Sequence, residues 1–270
     1  MMVPMPVSET NPSKPSGKIA RTVAVTSGKG GVGKTFFSAN LATSLSRQGL
    51  KVLVLDADLG LANLDVVLNL YPKITLHDVF TGKAQLDEAI LPAPGGFHVL
   101  LAGSGLVEYS RLTPEVREKL LDIFEAVKPR FDVIIIDTGA GISDVVLYAV
   151  SMATEVIVVA TPEPTSMTDA YATIKVLAAQ QSREKLNLVV NQVARPGDGR
   201  TICQQLQQVV DRFVVSPSGV VPKLQFLGDI PFDPCVREAV RKRQLLLELH
   251  PVSGAALGVN QVAVRLLGRA

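Results

Sequence analysis

The chain has 270 residues, 47% of them hydrophobic, and 27 Lys and Arg against 25 Asp and Glu for a net charge of +2. That length and apolar content suit one large α/β domain and argue against global disorder, while so small a net charge makes no case for nucleic acid or an anionic membrane as partner. Cys203 and Cys235 form no C-x-x-C pair, and neither a transmembrane run nor an apolar signal core is present, so a disulfide framework is disfavoured and a reduced, cytoplasmic protein is expected.

Residues 1–17, rich in Pro, Ser and small polar residues, predict a disordered tail. An apolar, β-rich run over 19–26 predicts the first strand, and residues 34–47 a helix, with Phe37, Leu41 and Leu45 facing the sheet. Between them stand Gly28, Lys29, Gly30, Gly31, Val32, Gly33, Lys34 and Thr35, an unbroken G-x-x-x-x-G-K-[ST] phosphate loop in its strand–loop–helix context. Phosphate oxygens need many N–H donors at short range. Glycines let the backbone wrap around them, and the helix start adds free N–H groups and the positive dipole end. Lys34 is placed to reach the β- and γ-phosphates and the Thr35 hydroxyl to hold Mg²⁺. Lys29 is unusual, because a second lysine is not needed to bind one nucleotide.

A continuous apolar strand over 51–56 ends in Asp56 and Asp58, as a strand buried on both faces of a parallel sheet would. Ligands of such sheets gather at the carboxyl ends of the strands, where these carboxylates can order Mg²⁺-bound water or orient an attacking one. A short helix closed by Gly82 follows, in which His77 is read as structural. Residues 97–102 predict a strand, and 114–127 a helix capped by Thr113 with Pro114 at its first position. The strand over 131–137 ends in Asp137, a Walker B arrangement near Mg²⁺, and residues 138–141 suit a second switch. After a strand over 155–161, Glu163 and Asp169 lie near a helix start, where compensation of the helix dipole alone could account for them. Asn191 ends the strand over 186–191 and can pair with adenine through both its carbonyl and its amide. The later helix carries Arg237, Arg241, Lys242 and Arg243, read as a solvated face, with DNA disfavoured. Residues 254–270 set Ala255, Val259, Val262 and Leu266 on one helical face, read as packing on the domain rather than on lipid.

Gly-Lys-Gly-Gly-Val-Gly-Lys-Thr over 28–35 resembles the deviant Walker A loop of the MinD/ParA family of ATPases. The run over 56–65 and the Glu-Pro-Thr-Ser stretch over 163–166 are most similar to its flagellar-number branch, FlhG (also called FleN). The resemblance runs from about residue 19 to 249. It implies a doubly wound, mostly parallel α/β fold, with an ATPase domain over 18–250 and a helical C-terminal tail over 251–270. It also implies ATP and Mg²⁺ as ligands, and an ATP-dependent homodimer in which Lys29 reaches the partner's nucleotide. Asp58 would position the hydrolytic water, Asp56 would be an outer Mg²⁺ ligand, and Asn63 and Asp65 would belong to the first switch. Asn191 would hold the adenine, and Pro231 and Asp233 would be second-line nucleotide contacts in the segment that closes over it, although Gln192 departs from the arginine common in MinD. Glu163 and Asp169 would face the dimer partner.

By the same resemblance the protein is a slow regulatory ATPase that restricts flagellar number or placement. Its implied partners are the flagellar GTPase FlhF, a flagellar transcription activator or basal-body proteins. A weak peripheral contact with the inner face of the cell membrane is an open alternative. The rival readings are a MinD- or ParA-type division or DNA-partition ATPase, and a non-catalytic regulator tuned by ATP. Iron–sulfur carriers share the loop but need cysteine ligands that Cys203 and Cys235 do not supply by position or spacing.

Overall fold

The computed structural model describes residues 20–59, 63–103, 112–195 and 197–269. The expected N-terminal tail lies outside them, as do residues 60–62 of the first switch.

Eight strands make one sheet: β1 (Arg21–Ser27), β2 (Val52–Ala57), β3 (Ile90–Pro92), β4 (His98–Leu100), β5 (Val133–Ala140), β6 (Glu155–Ala160), β7 (Lys185–Val193) and β8 (Lys223–Pro231). They lie in the order β3-β4-β2-β5-β1-β6-β7-β8, parallel throughout except for the short edge strand β3. The central strands are apolar at nearly every position because both faces are covered. On β2, Leu53, Leu55 and Ala57 face one core, and Val52 and Val54 face the other.

The first core is closed by α5 (Pro114–Val127), α6 (Asp144–Ser151), α7 (Pro164–Gln181) and α8 (Asp198–Phe213), with the short α3 (Leu76–Phe80) and α4 (Leu86–Ala89). The second is closed by α1 (Lys34–Arg47), α2 (Leu64–Leu68), α9 (Pro234–Lys242), α10 (Leu246–Leu249) and α11 (Gly254–Leu266). Phe37, Leu41 and Leu45 face the sheet as their spacing predicts, each fully buried. Asn40 and Ser44 are buried as well, because α10 and α11 cover the other side of α1. Their polar atoms are paired there: Asn40 Oδ1 accepts from the Leu247 N–H (3.1 Å), and the Ser44 hydroxyl donates to Asn260 Oδ1 (2.7 Å).

α11 lies against β8 and α1 with Ala255, Val259, Val262 and Leu266 in the core. Each Val or Leu buried this way contributes roughly 1.5–3 kcal/mol, and Arg265 adds a bond from Nη1 to the Leu227 carbonyl (2.9 Å). Two features escaped the sequence reading. β3 is only three residues long and pairs antiparallel. β5 continues through Thr138 to Ala140, so the segment expected to be a flexible switch is strand as far as Gly141, which turns at φ +90°.

Candidate nucleotide site

β1 runs between β5 and β6. The chain leaves its carboxyl end through the phosphate loop, crosses by α1 and returns as β2 on the far side of β5. β5, α6 and β6 travel the opposite way, so the loop opens where the winding direction reverses, the usual place for a ligand in such a sheet. A cleft of about 550 Å³ lies there, bordered by Gly30, Gly31, Gly33, Lys34, Thr35 and Asp58, with Asn63, Thr138 and Gly139 along its wall.

Two glycines are required by close approach. A Cβ at Gly28 would sit 2.2 Å from the Asp169 carbonyl oxygen on α7, and one at Gly33 would sit 2.5 Å from Asn191 Nδ2. The loop is therefore clamped between α7 and the end of β7. Lys34 is buried and donates from Nζ to Ser27 Oγ (2.8 Å), whose hydroxyl donates to the Lys29 carbonyl (2.7 Å). Burial pushes the Lys34 ammonium below its ordinary value, while Asp137 and Asp58 pull the other way. An arriving polyphosphate would supply the anion this desolvated cation lacks.

Asp137 lies under the cleft. Its carboxylate accepts from the Ser38 hydroxyl (2.8 Å) and from the Thr35 hydroxyl. Burial raises it to about 6, against the opposing pull of those two bonds and of Lys34. Thr35 and Asp137 thus form the hydroxyl–carboxylate pair that fits Mg²⁺, whose binding would relieve the buried carboxylate. Asp58 stands across the cleft, where a Cβ on Gly139 would be 3.3 Å from its carboxyl. Gly139 thereby lets Asp58 approach the end of β5.

Asp56 pairs in register with Asp137 on the neighbouring strand. Its Oδ1 accepts the Asp58 N–H (3.1 Å), and its side chain shares the α1–α2 side of β2 with Val52 and Val54. There it borders a second cavity rather than the phosphate cleft. Burial first, and then the charge of Asp137, hold its carboxyl well above the ordinary range.

Asn191, Pro231 and Asp233 line a pocket of about 190 Å³ beside Gly33 and Phe36, joined by Phe232 and by Arg237, whose guanidinium lies 5.5 Å from the Phe232 ring. Two of the three carry structural bonds. Asn191 donates from Nδ2 to the Val32 carbonyl (2.8 Å), and its Oδ1 accepts the Gln192 N–H (2.9 Å), with Gln192 at φ +62°. Asp233 caps α9 through the Cys235 N–H (2.9 Å) and accepts the Ala255 N–H at the start of α11 (3.1 Å). Both side chains are thus occupied in binding the chain to itself: Asn191 holds the phosphate loop, and Asp233 ties two helix starts together.

Lys29 is not part of the cleft wall. Its Nζ pairs with Glu163 Oε2 (2.7 Å) and donates to Thr165 Oγ1 (3.0 Å), both in the same protomer, at the start of α7. Ser27 and Ser38 are the site residues that sequence reasoning missed. Ser38 was legible in principle, since it lies one helical turn from Lys34 and so shares its face of α1. Ser27 gave no such signal. Of the three cations of α9 and Arg243 at its C-cap, Lys242 pairs with Glu238 (2.7 Å), Arg243 donates to Tyr71 Oη (3.2 Å) and Arg237 stacks on Phe232.

Residues 18–267 match the family model described as "ParA: NUBPL iron-transfer P-loop NTPase". The chain is 42% identical to the antiactivator FleN of Pseudomonas aeruginosa over 246 residues, covering 91% of this chain and 86% of that protein. It is 35% identical to the flagellum site-determining protein YlxH of Helicobacter pylori, covering 92% and 82%. Among solved structures it is similar to the septum site-determining protein MinD of Pyrococcus horikoshii in complex with Mg-ADP, with a TM-score of 0.72 and 29% identity over 92% of this chain and 96% of that one. Cys203 packs in the core on one face of the sheet and Cys235 against the core on the other, so one protomer does not bring them together as iron ligands.

Proposed function

The chain belongs to the ParA family of P-loop NTPases and is similar to flagellar-number regulators within it, and from that premise we propose that it is an ATP-dependent dimerisation switch that restricts flagellar number or placement. The observation that carries the reading is the convergence of Lys34, Thr35, Asp58 and Asp137 on one cleft, while the second loop lysine, Lys29, is held outside it by Glu163 and Thr165. One nucleotide needs only Lys34, and a cation kept beside the cleft on a weak exposed pair is available to a second subunit.

In this reading the loop N–H groups and Lys34 hold the β- and γ-phosphates, and Thr35 with Asp137 hold Mg²⁺. The bound ion neutralises charge developing on the phosphoryl oxygens. Asp58 orients water toward the γ-phosphoryl group from the opposite wall. Lys29 leaves Glu163 for the partner's nucleotide as two protomers close, and slow hydrolysis releases them. The name of the antiactivator relative favours a flagellar transcription activator as partner, with FlhF or basal-body proteins as the other candidates. A division or DNA-partition role draws less support, because Arg237 and Lys242 of α9 and Arg243 at its end are engaged and the apolar stripe of α11 is buried. No helix among the described residues is long and apolar enough to cross a membrane.

The test is the oligomeric mass of wild type and Asp58→Ala in ATP–Mg²⁺ and in ADP. A stable dimer of the variant in ATP, monomeric in ADP, is expected. Mass that ignores nucleotide while ATP still binds would remove the role given to Lys29.

A further inference from the structure

The second cavity, of about 270 Å³, lies on the α2 side of β2 and is bordered by Asp56, Asp65, Tyr71, Thr75, Leu101 and Gly103. Asp56 is 1% exposed, and its Oδ2 has no hydrogen-bond partner among the described residues. Asp65, on the first turn of α2, likewise has a buried Oδ1 without one. Neither carboxylate joins an ion pair among the described residues; Arg243, the cation fixed nearby, is bound to Tyr71 Oη.

Two buried, unpartnered carboxylate oxygens beside one cavity are costly unless something compensates them. The remaining groups are also oxygen donors. The Thr75 hydroxyl gives its proton to Asp78 Oδ2 (3.0 Å) and accepts the Asp78 N–H in a capping box, leaving one lone pair. The Leu101 carbonyl accepts one bond, from the Leu76 N–H (2.8 Å), and retains a second lone pair. Gly103, at φ +88°, keeps that wall open, since a Cβ would stand 2.9 Å from Thr75 Oγ1.

We propose that this cavity binds a hydrated hard divalent cation between Asp56 and Asp65, separate from the Mg²⁺ expected at Thr35 and Asp137. Oxygen donors of this kind suit Ca²⁺ or Mg²⁺ rather than zinc or copper. Two carboxylates leave most of the shell to Thr75, backbone carbonyls and water, which matches a cavity larger than a bare ion. The cation would tie α2 to β2 on either side of the segment that follows Asp58.

The probe is Tb³⁺ luminescence sensitised by Tyr71, titrated into the nucleotide-free full chain and competed with Ca²⁺ and with Mg²⁺. Asp65→Asn should raise the half-saturating Tb³⁺ concentration by about tenfold or more, as loss of one of two charged ligands implies, and Asp65→Glu should recover part of it. Asp137→Asn should leave that titration unchanged. Calcium should also raise the melting temperature of wild type but not of Asp65→Asn, a comparison that separates lost binding from lost folding. The proposal is overturned if Tb³⁺ gives no saturable signal, if Asp65→Asn titrates like wild type, or if Asp137→Asn alone abolishes the signal. None of these results bears on whether ATP drives dimerisation.

Discussion

Removing the carboxylate that restrains Lys29 should strengthen the dimer. Lys29 and Glu163 are 2.7 Å apart, with side chains 38% and 62% exposed. An ion pair so open to solvent is worth about 0.5–1 kcal/mol. A symmetric dimer in which each Lys29 turns to its partner must break two such pairs, about 1–2 kcal/mol in total. Glu163→Gln removes that opposition and should lower the dimer dissociation constant by roughly 5- to 30-fold. The assay is sedimentation equilibrium in ATP–Mg²⁺, with Asp58→Ala in both proteins to stop hydrolysis. The gain should shrink as salt rises, because salt screens an exposed pair. Thr165→Val, which removes only the 3.0 Å hydrogen bond, should act in the same direction but less. A dissociation constant unchanged within about twofold, or a weaker dimer, would mean that Glu163 does not compete for Lys29 and that the reasoning fails.

Gly28→Ala would place a methyl carbon 2.2 Å from the Asp169 carbonyl oxygen, so loop and α7 must part by about 1.2 Å to reach an ordinary 3.4 Å contact. Such overpacking costs about 1–3 kcal/mol; urea denaturation should show a lower midpoint, and equilibrium dialysis a weaker affinity for a non-hydrolysable ATP analogue. Gly31→Ala, at φ +77° with nothing within 4 Å, should cost only the left-handed strain of about 1 kcal/mol in the same urea assay. Asp137, raised by burial from 3.8 to about 6, favours the folded state most below 3.8, and that contribution is lost as pH rises through 6. Between pH 4 and 7 the nucleotide-free wild type should therefore lose up to about 3 kcal/mol more stability than Asp137→Asn, and parallel pH profiles of the two would contradict this.

Much of the molecule was legible one segment at a time. The phosphate loop is contiguous, so composition alone carries its chemistry: glycine for wrapping, lysine for charge, a hydroxyl for the metal. The strands leading to Asp56 and Asp58 and to Asp137 were readable because burial on both faces leaves an unbroken apolar run before the carboxylates. The apolar face of α11 followed from helical spacing, and only the structure says what it covers: β8 and the outer side of α1.

Whatever depends on two distant segments meeting was decided by the tertiary structure. Strand-end position and family resemblance suggested Asn191 for the adenine, Asp233 as a second-line nucleotide contact and Asp56 as an outer metal ligand, but not what else these side chains bind. Asn191 bonds Val32, 159 residues away, Asp233 bonds Ala255, and Asp56 borders a cavity beside α2. The restraint on Lys29 spans 134 residues. A sequence states which polar atoms a residue offers, but a buried polar atom is claimed by whatever packing brings within about 3 Å. That competition, rather than residue type, determined which of the predicted groups face the cleft and which hold the fold together.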